Sequence, residues 1–185
     1  MSIAENVAEI RRQMEAAALA AGRDPKGILL CAATKMNDAD AVRQAIAAGV
    51  DCCGENRVQE LTAKLAQNAY DGAPVHFIGH LQTNKVRQVV GKVSLIQSVD
   101  SERLLAAIDR EAARQGIVQD ILLEVNIGEE ASKSGFAAED ILPLMEKIGE
   151  FSNICIKGLM AIPQSATFRE KIKNFFKKCS TYLLT

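Results

Sequence analysis

The sequence predicts an α/β fold of the (β/α) barrel type, built as one domain over residues 1–185. Apolar runs of strand length alternate with amphipathic segments of helical length along the chain. The strand runs are apolar throughout, which is typical of parallel strands covered by helices on both faces. Polar residues follow almost every strand run, and the carboxyl ends of barrel strands meet on one face, where ligand sites of this fold lie.

The elements follow one another regularly. A first helix is predicted from Ile3 to Ala21, where apolar residues recur at helical spacing, and Gly22 with Asp24-Pro25 ends it. The predicted strands are Ile28–Thr34, Cys52–Gly54, Val75–Gly79, Leu95–Val99, Ile121–Asn126 and Ile156–Ile162. The helices predicted after them are Asp38–Ala48, Asn56–Asn68, Asn84–Val90, Glu102–Gln115, Glu139–Gly149 and one from Phe168 onward. This alternation gives six βα units.

Six units fit either a doubly wound sheet or most of a barrel, and periodicity alone does not separate the two. The GxGxxG turn of dinucleotide-binding sheets is absent after the first predicted strand, which weighs against that version. A complete barrel has eight units and about 250 residues. We therefore expect an incomplete barrel, truncated at its C-terminus, whose open strand edges could pair in a dimer.

The composition of the chain argues against several classes of binding partner. Apolar residues make up 48% of the chain and charged residues 24%, and the formal net charge is −1. This balance provides no overall field that attracts nucleic acid or an anionic membrane. The polar N-terminus does not resemble a signal peptide, and no apolar stretch approaches the ~20 residues of a membrane helix. The sequence therefore predicts a cytoplasmic protein that binds neither membrane nor nucleic acid.

The five cysteines are Cys31, Cys52, Cys53, Cys155 and Cys179. Their number is odd, no CxxC pair occurs, and four of them lie in short apolar runs, where a thiol behaves as a small hydrophobic group. Neither a disulfide framework nor a zinc or other metal site is predicted.

Lys35 is the strongest single candidate for chemistry. It follows seven strand residues without a charge, so its ammonium is expected near an apolar wall, where desolvation lowers the pKa of a lysine. A neutral lysine amine can form a Schiff base with an aldehyde. The alternative is a lysine that marks the strand exit and points into water.

Other strand exits carry polar residues too. Asn56 could cap the following helix or orient a ligand. His80 lies just past a strand in which His76 alternates with Phe77, and Gly79 before it permits close backbone approach. Two further assignments stay open. Glu129 and Lys133 form either a surface ion pair or ligand contacts, and Met160 is either core or pocket.

These segments together resemble the pyridoxal phosphate homeostasis protein family, also known as the YggS-like or proline synthetase co-transcribed proteins. The resemblance rests on Ala32-Ala33-Thr34-Lys35, Gly54-Glu55-Asn56-Arg57-Val58-Gln59-Glu60, His76-Phe77-Ile78-Gly79-His80-Leu81-Gln82-Thr83-Asn84-Lys85, Glu124-Val125-Asn126-Ile127-Gly128-Glu129 with Lys133 and Gly135, and Gly158-Leu159-Met160-Ala161-Ile162-Pro163. It runs from about Ile3 to Phe176, and the segment from His76 to Lys85 is the most specific.

The resemblance implies a single-domain barrel like the N-terminal domain of alanine racemase, monomeric and without established turnover. It implies that pyridoxal 5′-phosphate is the cofactor, held as a Schiff base on Lys35. Asn56 and His80 would line the pocket and Met160 would support it. The family buffers the cofactor for PLP-dependent apo-enzymes. Its serine- and glycine-rich segment and its arginine, which hold the cofactor near the C-terminus, have no counterpart in this chain.

Two rival functions remain. An amino-acid racemase of this fold needs a second acid–base group opposite the lysine, usually a tyrosine. The tyrosines here are Tyr70, in a helix-to-strand loop away from the strand exits, and Tyr182, in the tail. The other rival is a remnant that binds partners but no cofactor, which the missing phosphate segment favours.

Overall fold

The computed structural model describes residues 1–126 and 134–162, which form two compact units. The first unit comprises Met1–Gly79 and Arg87–Leu95, and the second comprises His80–Val86 and the residues from Ile96 onward. In each unit three parallel strands lie side by side in chain order. The predicted alternation of parallel strands and helices is confirmed in both units.

The bounds of the elements follow the chain. The strands are β1 (Cys31–Ala33), β2 (Cys52–Glu55), β3 (Val75–Phe77), β4 (Leu95–Val99), β5 (Gln119–Glu124) and β6 (Ile154–Met160). The helices are α1 (Ile3–Ala20), α2 (Ala39–Ala47), α3 (Val58–Ala66), α4 (Glu102–Gln115) and α5 (Ile141–Glu146). Short 3₁₀ segments cover Pro25–Gly27, Thr83–Gln88, Ala138–Asp140 and Ile148–Glu150. The helix predicted from Phe168 lies outside the described residues.

Side-chain caps fix where three helices begin. Ser2 and Glu5 form a capping box at α1, in which each side chain accepts from the other's backbone N–H. Asp38 caps α2 and Ser101 caps α4, each by accepting from the amide three residues on. Gly116 ends α4 in the left-handed conformation, which costs glycine little. No helix among the described residues is long and apolar enough to cross a membrane.

Strand β1 is shorter than the predicted run from Ile28 to Thr34. Leu30 precedes the ladder because its N–H donates to the Asp51 carboxylate instead of to a strand, at 2.5 Å. Arg11 of α1 binds the same carboxylate at 2.6 Å. This side-chain acceptor sets the start of the sheet, and no strand pattern in the sequence reveals it.

Two predicted helices are wrong in type or length. The segment Thr83–Gln88 is a 3₁₀ turn rather than an α-helix, and it leads into Val89 and Val90, whose β-branched side chains disfavour helix. The predicted Glu139–Gly149 helix is reduced to α5 between two 3₁₀ segments. Pro143 lies in its first turn, where proline is tolerated, so α5 cannot begin much earlier.

The register of the first unit separates two faces of its sheet. Cys31 pairs with Cys52, and Gly54 pairs with His76. Because side chains alternate along a strand, these paired residues lie on one face of the sheet, which is named here the Cys–His face. Its residues are Cys31, Ala33, Cys52, Gly54, His76 and Ile78. The opposite face, named here the helix face, carries Ala32, Thr34, Cys53, Glu55, Val75 and Phe77, and it buries Glu55 and Phe77 completely.

Candidate functional site

A buried network of charged and hydroxyl groups lies on the helix face. Glu55 at the end of β2 is fully buried, and its Oε1 accepts from Lys64 Nζ at 2.7 Å, from Thr34 Oγ1 at 2.5 Å and from Tyr70 Oη at 3.1 Å. Lys64 Nζ also donates to the Thr34 carbonyl at 2.7 Å. A buried carboxylate is tolerable only with such partners, so this network determines how β1, β2 and α3 fit together.

The network holds the turn that carries Lys35. On its amino side, the Thr34 carbonyl is bound by Lys64. On its carboxyl side, the Met36 N–H donates to Glu60 Oε2 at 2.8 Å. Met36 has φ 61, in the left-handed region that a non-glycine residue rarely adopts. The backbone on both sides of Lys35 is therefore fixed by side chains of α3.

Lys35 itself is exposed. The strand did not supply the apolar surroundings that we expected, because β1 ends at Ala33 and Lys35 stands in a turn beyond it. Its assignment as the Schiff-base lysine remains a prediction.

Asn56 follows β2 directly and does not cap α3. Arg57 is the N-cap residue, and no side-chain cap bond is formed there by the described residues. The Asn56 Oδ1 atom is buried and has no hydrogen-bond partner among residues 1–126 and 134–162. Of the two readings of Asn56 open from the sequence, capping is wrong.

Gly79 fixes the backbone of Asn56. A Cβ atom at position 79 would lie 2.2 Å from the Asn56 carbonyl oxygen and 2.7 Å from its Cα. Such distances are impossible between real atoms, so only glycine permits this approach of the two main chains. The predicted role of Gly79 in close approach is confirmed.

Within the second unit, His80 belongs to a polar cluster with Asp100 and Glu124. His80 Nδ1 lies 3.0 Å from Asp100 Oδ2, with His80 exposed and Asp100 largely buried. Asp100 therefore engages Nδ1 of His80 rather than Nε2. Burial and the Asp100 charge raise the pKa of Glu124, while the His80 charge opposes this effect. His80, Asp100 and Glu124 thus share one electrostatic environment.

Met160 ends β6 in the same unit. It is half-buried, pairs in register with Glu124, and its carbonyl accepts from the Val125 N–H at 2.8 Å. The carboxyl ends of β5 and β6 therefore lie side by side. Whether Met160 supports a cofactor remains a prediction.

Tyr70 is buried, and its hydroxyl donates to Glu55. Burial and the Glu55 charge raise the pKa of this hydroxyl, which keeps it protonated. Three other residues considered from the sequence, Glu129, Lys133 and Tyr182, lie outside the described residues.

Sequence reasoning missed a cluster on the Cys–His face. The possible ligand atoms of Cys31, Cys52 and His76 lie within 4.8 Å of one another. The three residues come from three strands more than twenty positions apart in sequence, so no spacing motif marks them. Lys64 was missed as well, although one signal was present: it falls on the buried stripe of α3 with Val58 and Leu61.

Known proteins share both the sequence and the fold. The family of the alanine racemase N-terminal domain matches residues 2–181. The pyridoxal phosphate homeostasis protein of Aquifex aeolicus is 36% identical over 96% of this chain and 78% of its own length. That of Pseudomonas aeruginosa is 37% identical over 99% of this chain and 80% of its own length. The chain belongs to the pyridoxal phosphate homeostasis protein family.

Solved structures agree with this membership. PipY of Synechococcus elongatus, solved with PLP bound, is 31% identical with a TM-score of 0.80, over 98% of this chain and 80% of its own. A Bifidobacterium adolescentis protein is 37% identical with a TM-score of 0.86, over 94% and 74%. Alanine racemase of Clostridium difficile, at 14% identity and TM-score 0.71 over 84% and 43%, shares the fold alone. This family member therefore has an α/β fold of the (β/α) barrel type, as the sequence predicted.

Proposed function

We propose that this chain binds pyridoxal 5′-phosphate and serves in intracellular vitamin B6 homeostasis, with the cofactor held covalently on Lys35. The names of the curated relatives and the PLP bound to PipY support the cofactor. The observation in this chain that carries the proposal is the buried side-chain oxygen of Asn56. This Oδ1 atom lacks a partner among the described residues, and Asn56 stands at the end of the strand beside the one that leads to Lys35. A buried polar atom without a partner costs free energy unless a ligand or water satisfies it.

Each of the predicted residues, taken by itself, offers chemistry that suits this group. When bound, the cofactor would supply an aldehyde, and Lys35 would provide the amine that forms a Schiff base with it, with loss of one water molecule. Asn56 would orient the ring through Oδ1. His80 offers Nε2 as a polar contact because Asp100 engages its other nitrogen. Met160 would contribute an apolar wall.

We propose further that the bound cofactor is stored and passed on rather than used for amino-acid turnover. Racemisation needs a second acid–base group facing the lysine. Tyr70 does not offer one, since its hydroxyl is buried and donates to Glu55. Incubation of the loaded protein with L-alanine in deuterated water tests this point. Incorporation of deuterium at the α-carbon would favour the racemase instead.

The test of cofactor attachment uses borohydride reduction followed by peptide mapping. Purified protein is mixed with pyridoxal 5′-phosphate, reduced, digested and analysed by mass spectrometry. Reduction converts the imine to a stable secondary amine, so we expect the added mass on the peptide that contains Lys35. A visible absorption band before reduction should disappear in Lys35→Ala.

The matched control is Lys26→Ala, which removes another exposed lysine a few residues before β1. It should leave both the band and the labelled peptide unchanged. Label on several lysines in proportion to their exposure, or no label in protein with an intact far-ultraviolet circular dichroism spectrum, would contradict the proposal.

A further inference from the structure

The Cys–His face of the first unit brings three metal-ligating side chains to one place. Cys31 lies on β1, Cys52 pairs with it on β2, and His76 lies on β3. Their Sγ, Sγ and nearest ring nitrogen atoms are all within 4.8 Å of one another. Cys52 is buried, whereas Cys31 and His76 are half-buried, so the cluster has a path to solvent.

The spacing of the atoms suits a tetrahedral metal site. Zinc binds thiolate sulfur at about 2.3 Å and imidazole nitrogen at about 2.0–2.1 Å, so tetrahedral angles place sulfur and nitrogen about 3.6 Å apart. Cys52 Sγ and His76 Nδ1 are 3.6 Å apart. We propose that Cys31, Cys52 and His76 bind one soft transition-metal ion, with Zn²⁺ the expected occupant and the fourth position open to water.

The charges of the ligand set agree with this site. Zn²⁺ would displace both thiol protons, and two thiolates with a neutral imidazole give no net charge, which suits a partly buried position.

The cluster is separate from Asn56, which is proposed to orient the cofactor. Cys52 precedes Asn56 by four residues, which corresponds to about 13 Å along an extended strand. Gly54 lies between them, and a Cβ there would be 3.1 Å from Cys31 Sγ. A metal at this level would link the amino-terminal parts of β1, β2 and β3.

Cobalt provides the test because it replaces zinc and reports its ligands. The reduced protein is titrated with Co²⁺ under argon. We expect a sulfur-to-cobalt charge-transfer band in the near ultraviolet, intense tetrahedral bands in the visible region, saturation at one ion per chain and displacement by Zn²⁺. Cys31→Ser and Cys52→Ser should each lose most of the charge-transfer band, and His76→Asn should weaken binding at least about tenfold.

Cys155→Ser is the matched control, because it removes a half-buried thiol of the second unit. It should keep the full signal, and so should Lys35→Ala, which makes the outcome independent of cofactor attachment. Cys31 is half-exposed, so its variant keeps the test valid if Cys52→Ser fails to fold. A folded wild-type chain with no charge-transfer band, or a band that needs Cys155 instead, would overturn the proposal.

Discussion

The buried pair of Lys64 and Glu55 allows a quantitative expectation about stability. Replacing Lys64 by methionine keeps most of the side-chain volume and removes the charge. The Glu55 carboxylate, which is 0% exposed, would then lie buried without a cation at 2.7 Å. The Thr34 carbonyl would lose a donor in the same substitution.

The magnitude follows from the partners that remain. Removing one member of a buried ion pair typically costs about 3–5 kcal/mol, because the other charge stays uncompensated. The hydroxyls of Thr34 and Tyr70 still donate to Glu55 Oε1, so we expect a value near the lower end, about 3 kcal/mol. Domains of this kind have total stabilities of about 5–15 kcal/mol, so Lys64→Met should remain folded in water.

Urea unfolding followed by circular dichroism measures this loss. The midpoint should fall while the dependence of free energy on urea stays constant, since the same surface is exposed on unfolding. The double variant Lys64→Met with Glu55→Gln should be more stable than Lys64→Met alone. The neutral amide keeps an acceptor for the two hydroxyls and removes the buried charge.

An exposed pair supplies the control. Arg12 and Glu9 of α1 form an ion pair at 2.7 Å with both side chains largely in water. Arg12→Met should produce no resolvable change, as is usual for surface pairs. If Lys64→Met cost less than about 1 kcal/mol, or if the double variant were no more stable, the network would not have the role inferred for it.

Two other expectations concern the polar clusters beside the strand ends. Gly79→Ala should destabilise the chain by about 1–3 kcal/mol, because the added Cβ overlaps with the main chain of Asn56. It should also weaken cofactor binding. Gly27→Ala adds a Cβ in open space and should have neither effect. Thermal unfolding and cofactor titration measure both effects, and equal behaviour of the two variants would contradict the overlap. Burial raises the folded-state pKa of Glu124, so its contribution to stability is present below its ordinary pKa of 4.5 and is lost as pH rises through the raised value. Urea unfolding across this pH range should show a shallower decline in Glu124→Gln, and parallel curves would refute the assignment.

Local sequence patterns predicted most elements because their causes are local. Ser2, Asp38 and Ser101 cap helices within three residues of themselves, and apolar runs mark the strands. The start of β1 was misplaced because Asp51, a distant side chain, takes the Leu30 N–H. Long-range hydrogen bonds of this kind leave no periodic signal.

The same distinction between local and long-range causes applies to the candidate site. Lys35, Asn56 and His80 were predicted because each follows a strand run, and polar residues stand out there. The exposure of Lys35 did not follow from spacing. Lys64 shares the helical spacing of Val58 and Leu61, but nothing in the sequence pairs it with Glu55. A lysine in an amphipathic helix is usually solvated, and only a buried carboxylate on another element reverses that preference.

The hydrogen bonds around Met36 tie the shape of the Lys35 turn to the folding of α3. Glu60 and Lys64, which bind the backbone on either side of Lys35, both belong to that helix. In a chain emerging from the ribosome, the turn at Lys35 therefore has no fixed conformation until about thirty more residues have been made and α3 has docked. An aldehyde that reacts with many amines therefore encounters Lys35 in its final geometry only on a folded molecule. The turn acquires its binding conformation at the same time as the protein folds.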